Sequence, residues 1–232
     1  MPSDQAIARM MRVLQFGDSV LPIGSFSFSN ALETAVQEDV VRDAATLNEF
    51  VAATVRRAAT SDGIAVLAAH RAARDGDLDR VIASDRAVFE RKLSEEARTM
   101  TVRMGRKLAE VATVAASAPL LGRWLDRIRD GAAPGTHPAG LGVLFAELGS
   151  PEEDAFAVHQ YGVAMTTLSA ALRLMRIEHR QVQVILSAVD ASALGDYAAV
   201  RDASLSDMAG FSPMADILAA IHVRSHVRMF MT

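Results

Sequence analysis

Apolar residues recur three and four positions apart along most of this chain, the spacing that turns one face of an α-helix toward a core. Ile7, Met10, Met11 and Leu14 form one such stripe and predict a first helix from about Ser3 to Phe16. Leu32, Ala35 and Val36 continue a second helix after a break. Thr46-Leu47-Asn48-Glu49 has the form of a capping box opening a third, with Leu47, Phe50, Val51, Val55 and Ala58 inward. Ser61-Asp62 restarts a helix carrying Ile64, Leu67 and Ala68, which Gly76 stops, and Leu78, Val81, Ile82, Val88 and Phe89 mark the next. From Ser94 to about Ser117 the pattern is long: Ala97, Met100, Met104, Leu108, Val111 and Ala115. Gly105 sits inside it at a cost of roughly 1 kcal/mol relative to alanine, which close approach of a neighbouring helix would offset.

Pro119 begins a short helix with Leu121, Trp124, Leu125 and Ile128. The stretch from Gly131 to Gly140 holds three glycines and two prolines and reads as a flexible loop over about 131–140. Ser150-Pro151-Glu152-Glu153 joins a cap, a proline at the first position and a reciprocal glutamate, and the helix it starts reaches about Ile177. Two more helices cover Arg180–Val189 and Ala191–Ala203, and a last one follows Ser212-Pro213. No sustained period-two alternation, internal repeat or low-complexity tract appears. The pattern predicts an all-α, single-domain bundle of about ten helices with short connections.

Composition narrows the function classes. Half of the 232 residues are hydrophobic but only 5% are aromatic, so the core is built from Ala, Leu, Val, Ile and Met. The absence of cysteine excludes disulfides, thiolate catalysis and Cys-based metal sites. A formal net charge of −4 argues against nucleic acid as a main partner. No segment approaches the roughly 20 apolar residues of a membrane span, and the N-terminus lacks a signal-peptide pattern, so a cytoplasmic location without membrane contact is expected. No P-loop, G-x-S-x-G, H-E-x-x-H or EF-hand string occurs, and no catalytic residue is assigned.

His222 and His226 share a helix face and could ligate Ni²⁺ or Zn²⁺; the alternative is that one packs and the other caps carbonyls. His137 reads as a loop-ordering hydrogen bonder, and His70, His159 and His179 as partners of helix packing. Arg98, Arg103, Arg106 and Lys107 form a basic run around Gly105, either a solvated face or a contact for an acidic partner. The chain ends on Met229, Phe230 and Met231, which either fold back on the core or are buried by another protein.

One segment interrupts the helices. In Leu21-Pro22-Ile23-Gly24-Ser25-Phe26-Ser27-Phe28-Ser29-Asn30-Ala31-Leu32-Glu33, Pro22 restricts φ, Gly24 permits a turn, and Ser27 or Ser29 can cap the helix that follows. This run resembles the signature of the urease accessory protein F family, L-P-x-G-x-[FY]-x-[FYW]-S-x-G-L-E. Leu21, Pro22, Gly24, Phe26, Phe28, Ser29, Leu32 and Glu33 match, and Ala31 replaces the second glycine. Further similarities follow in order: Met104-Gly105-Arg106-Lys107-Leu108, His137-Pro138-Ala139-Gly140 with Gly142, then Phe211, Pro213, Asp216, Ile217, His222, Arg228 and Phe230. Val223, Met231 and Thr232 depart from the family ending. In the central P-L-G-Q-x-x-G-Q motif only Gln183 survives.

The resemblance implies an all-α, commonly dimeric and non-enzymatic protein that helps install nickel in urease. It implies a scaffold partner of the urease D/H type, an accessory GTPase of the G type and apo-urease, with no tightly bound cofactor and nickel in transit. On that reading His222, Arg228 and Phe230 seat the scaffold partner, and Ser29, Glu33 and Gln183 face the GTPase. Pro22, Gly24, Phe26 and Phe28 form the signature turn. Two other classes stay open: an α-helical metal-binding enzyme using His222 and His226, and a helical DNA-binding regulator, for which no basic recognition helix is found.

Overall fold

The computed structural model describes residues 2–210, 217, 218, 221 and 229–231. Among them the regular elements are all helical, as the periodicity requires. In chain order they are α1 (Pro2–Gly17), α2 (Leu32–Gln37), α3 (Ala44–Ala58), α4 (Ile64–Arg74), α5 (Leu78–Arg91), α6 (Glu95–Ala115), α7 (Pro119–Arg129), α8 (His137–Glu147), α9 (Glu152–Leu174) and α10 (His179–Val200). A π-helical turn, Ala59–Gly63, joins α3 to α4 without a break.

Helix α8 lies at the centre. Pro138 through Ala146 are all buried, as expected of a helix that is apolar on every side. It packs against α4, α5, α6, α7 and α9. Two glycines permit this closeness: a Cβ at Gly142 would overlap the Val66 carbonyl of α4, and one at Gly105 of α6 would overlap the Gly135 carbonyl. The helix-propensity cost of Gly105 is therefore offset by contact, as its sequence position suggested. One core cluster surrounds α8 and includes Trp124, Leu121, Phe145 and Phe16. A second joins α2, α3, α9 and α10 through Leu32, Leu47, Val51, Leu168 and Ile185, and Phe230 belongs to it.

Buried polar groups set the connections. Asp85 on α5 is fully buried and accepts the Trp124 indole N–H at 3.1 Å and the Gly135 and Thr136 amides at 2.9 and 2.7 Å. Burial pushes its carboxyl above the ordinary range despite those bonds. Glu147, ending α8, accepts the first amides of α7 from Leu120 and Leu121 at 2.7 and 2.8 Å. These bonds satisfy first-turn amides of α7 and tie its start to the end of α8.

Several local expectations are corrected. The loop is shorter than 131–140: His137 to Gly140 are helical, because Pro138 at the helix start needs no amide bond there. The box opening α3 is Asp43 with Thr46, not Thr46 with Glu49, since the aspartate carboxylate caps the Thr46 amide at 2.9 Å. Ser150 does not cap α9; Pro151 occupies that position and the helix ends at Leu174. Positions 179–200 form one helix rather than two, there being no proline and only Gly195 to interrupt it. The α1 stripe faces outward: Ile7, Met10, Met11 and Leu14 are each more than half exposed, while Val13 and Phe16 face the core. The helix expected after Ser212-Pro213 lies largely outside the described residues.

The glycine contact at the α6 crossing has a measurable consequence. Gly105→Ala should lower unfolding free energy by at least about 3 kcal/mol in urea melts, because the methyl would meet backbone that cannot rotate away. An unchanged midpoint would show that α6 and α8 are not so tightly apposed.

Candidate functional site

The signature segment is a compact turn with left-handed backbone at both ends. Gly24 has φ +85°, Ser25–Ser27 form a single 3₁₀ turn, and Asn30 and Ala31 have φ of +53° and +66°. Ala31 thus stands in a left-handed conformation at the position where the motif usually carries glycine, at a cost of roughly 1 kcal/mol. Phe28 is buried and fixes the base of the turn. The Asn30 amide donates to Thr167 Oγ1 at 3.1 Å, tying the segment to α9.

Helix α2 follows at once, so Glu33 falls in its first turn and points inward, 2% exposed. Its two carboxylate oxygens accept the backbone amides of Met229 and Phe230, at 2.7 and 3.0 Å. The Met231 amide donates to the Ser27 carbonyl at 2.9 Å. The Phe230 ring, 4% exposed, lies beneath the Arg173 guanidinium at 4.1 Å from the ring centroid, a cation–π contact. Arg173 also donates to the Phe26 carbonyl at 2.6 Å. The chain end is thus clamped through its backbone, a charged acceptor meeting two donors where an unmatched carboxylate would be costly.

Clamping fixes which side chains show. Phe230 turns in, whereas Met229 and Met231 are 61% and 42% exposed on either side of it. Phe26 of the turn is 68% exposed, and Arg103 of α6 reaches the Met231 sulfur at 3.7 Å. Methionine and phenylalanine on a fixed backbone make an adaptable apolar surface.

The same turn roofs a cavity of about 120 Å³. Ile23, Ser25, Phe26 and Asn30 line it from the turn, and Asp62, His137 and His159 supply titratable groups from the π-helical turn, α8 and α9. Lys92 pairs with Asp62 Oδ2 at 2.6 Å, while Oδ1 has no hydrogen-bond partner among the described residues. Burial pushes the Asp62 carboxyl up, but Lys92, His159 and Arg57 bring it below the ordinary value. Burial holds His159 down at about 4 and His137 at about 3, so both are neutral imidazoles near neutral pH.

Placement of the remaining expected residues is mixed. Ser29 is fully buried, with its hydroxyl accepting the Glu33 amide at 3.4 Å; neither it nor Glu33 offers a partner-facing side chain in this conformation. Phe230, expected to seat a partner, is inside the chain's own clamp. Pro22 and Gln183 are exposed. His222, His226 and Arg228 lie outside the described residues. His70 is buried against the Ser150 carbonyl at 2.9 Å, whereas His179 is exposed at the start of α10 rather than packed. In the basic run, Arg98 stacks over Phe89, and Arg106 and Lys107 pair with Glu110. Among the described residues no three His, Asp or Glu side chains converge to hold a metal ion. Sequence reasoning missed Arg173 and the Ser27 carbonyl, because a stacked arginine and a backbone acceptor carry no motif. The cavity groups were equally hidden, coming from three separate helical segments.

A family model described as UreF matches residues 41–190. Over 229 residues the chain is 52% identical to urease accessory protein UreF 2 of Brucella canis, covering 99% of this chain and 94% of that one. It is likewise 52% identical to urease accessory protein UreF 1 of Brucella melitensis. It is 46% identical to urease accessory protein UreF of Yersinia enterocolitica, covering 95% of this chain and 97% of that one.

Glu33→Gln replaces one accepting carboxylate oxygen by an amide nitrogen that only donates, so hydrogen-exchange protection at Met229 and Phe230 should fall by about tenfold or more. Unaltered protection would remove the clamp from the account. The two cavity histidines add an acid dependence. The unfolded chain takes up protons near pH 6.5 that the folded chain refuses until about pH 4 and 3. Their contribution to stability is therefore full above pH 6.5 and declines as pH falls below it. The melting temperature should drop between pH 6.5 and 5, before carboxylates titrate, and His159→Gln should flatten that slope. A flat wild-type profile would contradict the burial of these imidazoles.

Proposed function

The chain belongs to the UreF family of urease accessory proteins and so has a role in urease maturation, and from that premise we propose that it acts there as a non-enzymatic adaptor. It docks a scaffold partner of the urease D/H type and recruits a G-type accessory GTPase, whose hydrolysis drives delivery of nickel to apo-urease. Nickel is the cargo of that assembly. The protein acts as a homodimer within it.

The observation that supports this reading best is the clamped tail. A terminus that ends on large apolar groups ordinarily frays. Here its backbone is fixed by Glu33 and Ser27, and two methionines are presented outward beside Phe26. The scaffold contact is thereby assigned to Met229 and Met231, with Phe230 as the buried peg beneath them. The exposed α1 stripe is a second apolar area that an assembly would cover. Gln183 remains the exposed member of the set expected to face the GTPase.

Co-expression with a scaffold partner and the GTPase, followed by light scattering on the purified material, tests the reading. A stable three-component complex is expected, built on a dimer of this chain. The double substitution Met229→Ser with Met231→Ser should weaken it by about tenfold, as removal of central apolar contacts does. Absence of any association at micromolar concentration would overturn the adaptor role.

A further inference from the structure

We propose that the seated tail is the closing strap of the cavity beneath the signature turn, so that release of Met229–Met231 opens a path to His159. The inference deepens the docking reading above, on which it rests only for the identity of whatever engages the tail.

The cavity has a wall that can move. Helices form most of the wall, contributing Phe16 and Gly17 from α1, Met100 and Met104 from α6, Pro138 from α8 and Val163 from α9. The non-helical wall is made by Asp18 and Ser19 after α1 and by the 3₁₀ turn, whose Ser25 and Phe26 line the cavity. Left-handed Gly24 bounds that turn on one side, and buried Phe28 pins it on the other. Movement is thereby confined to the short stretch between them.

Two bonds tie that stretch outward among the described residues. Arg173 holds the Phe26 carbonyl, and the Met231 amide holds the Ser27 carbonyl. Both depend on the tail. The Met231 bond is the tail itself, and Arg173 is positioned by the Phe230 ring on which it stacks. Glu33 in turn holds Phe230 and Met229 in place. Loss of the tail therefore removes one tie outright and takes away the platform of the other. What lies below the turn is a polar floor, Asp62, His137 and His159, that no other part of the account employs. A partner that covers Met229 and Met231 on the seated tail keeps the strap shut.

Histidine carbethoxylation by diethyl pyrocarbonate, read residue by residue by mass spectrometry, tests this. The reagent attacks neutral imidazole, the form in which burial keeps both histidines. His70, buried on α4 against the Ser150 carbonyl and outside the cavity lining, is an internal control. The chain ending at Arg228, and the full chain carrying Phe230→Ala, should label His159 about tenfold faster than wild type, with His70 unchanged. Glu33→Gln should act in the same direction. Unchanged labelling of His159 in the truncated chain would overturn the strap, as would a parallel rise at His70, which would mean general loosening. Partner association is measured on the same variants. Lost association with unchanged labelling overturns the strap and spares the adaptor reading; faster labelling with full association supports the strap and counts against docking through the tail.

Discussion

A carboxylate shut away from water must have its charge met by fixed donors, and the organisation around the signature turn follows from how Glu33 satisfies that demand. The side chain is carried inward by the first turn of α2, and its oxygens take the amides of Met229 and Phe230. Residues nearly 200 positions apart are thereby joined through backbone rather than side-chain identity. The phenylalanine between the two exposed methionines then has one place to go, under Arg173. Tail, turn and α9 become a single unit because one buried carboxylate takes two amides of the tail.

That unit stands on a rigid support. α8 is enclosed by five helices at distances that only glycine permits at two crossings, and Asp85 and Glu147 fix the connections at its ends. Such a core does not deform continuously. Mobility is left to the short turn above the cavity, where left-handed backbone and a few hydrogen bonds take the place of packing. A rigid helical body thus carries a surface held in place by one seated tail.

The helices were legible in the sequence because a 3.6-residue period survives any tertiary arrangement. The fold class, the interior role of Gly105 and the special character of the segment from Leu21 to Glu33 could all be read from residues. What periodicity leaves open is which face meets what. Ile7, Met10, Met11 and Leu14 make a clear stripe, yet the structure turns it outward, since Val13 and Phe16 supply the contact with the rest of the fold. The motif that named Glu33 gave no indication that the side chain points inward, to the amides of Met229 and Phe230. Arg173 and the histidine pair were invisible for a related reason: a stacked guanidinium and a cavity assembled from three helical segments depend on tertiary geometry alone. Ala31 is the converse case, a departure from the motif whose meaning appeared only with its left-handed backbone.

The central claim is that partners of this protein meet a tail that stays seated on Glu33. Hydrogen exchange at the Met229 and Phe230 amides, measured before and after saturation with the scaffold partner, tests it most directly. The account predicts slower exchange at both amides in the complex, because a partner that binds the seated conformation stabilises it by mass action. Faster exchange on binding would mean that the partner draws the tail out of the clamp, and would contradict the account.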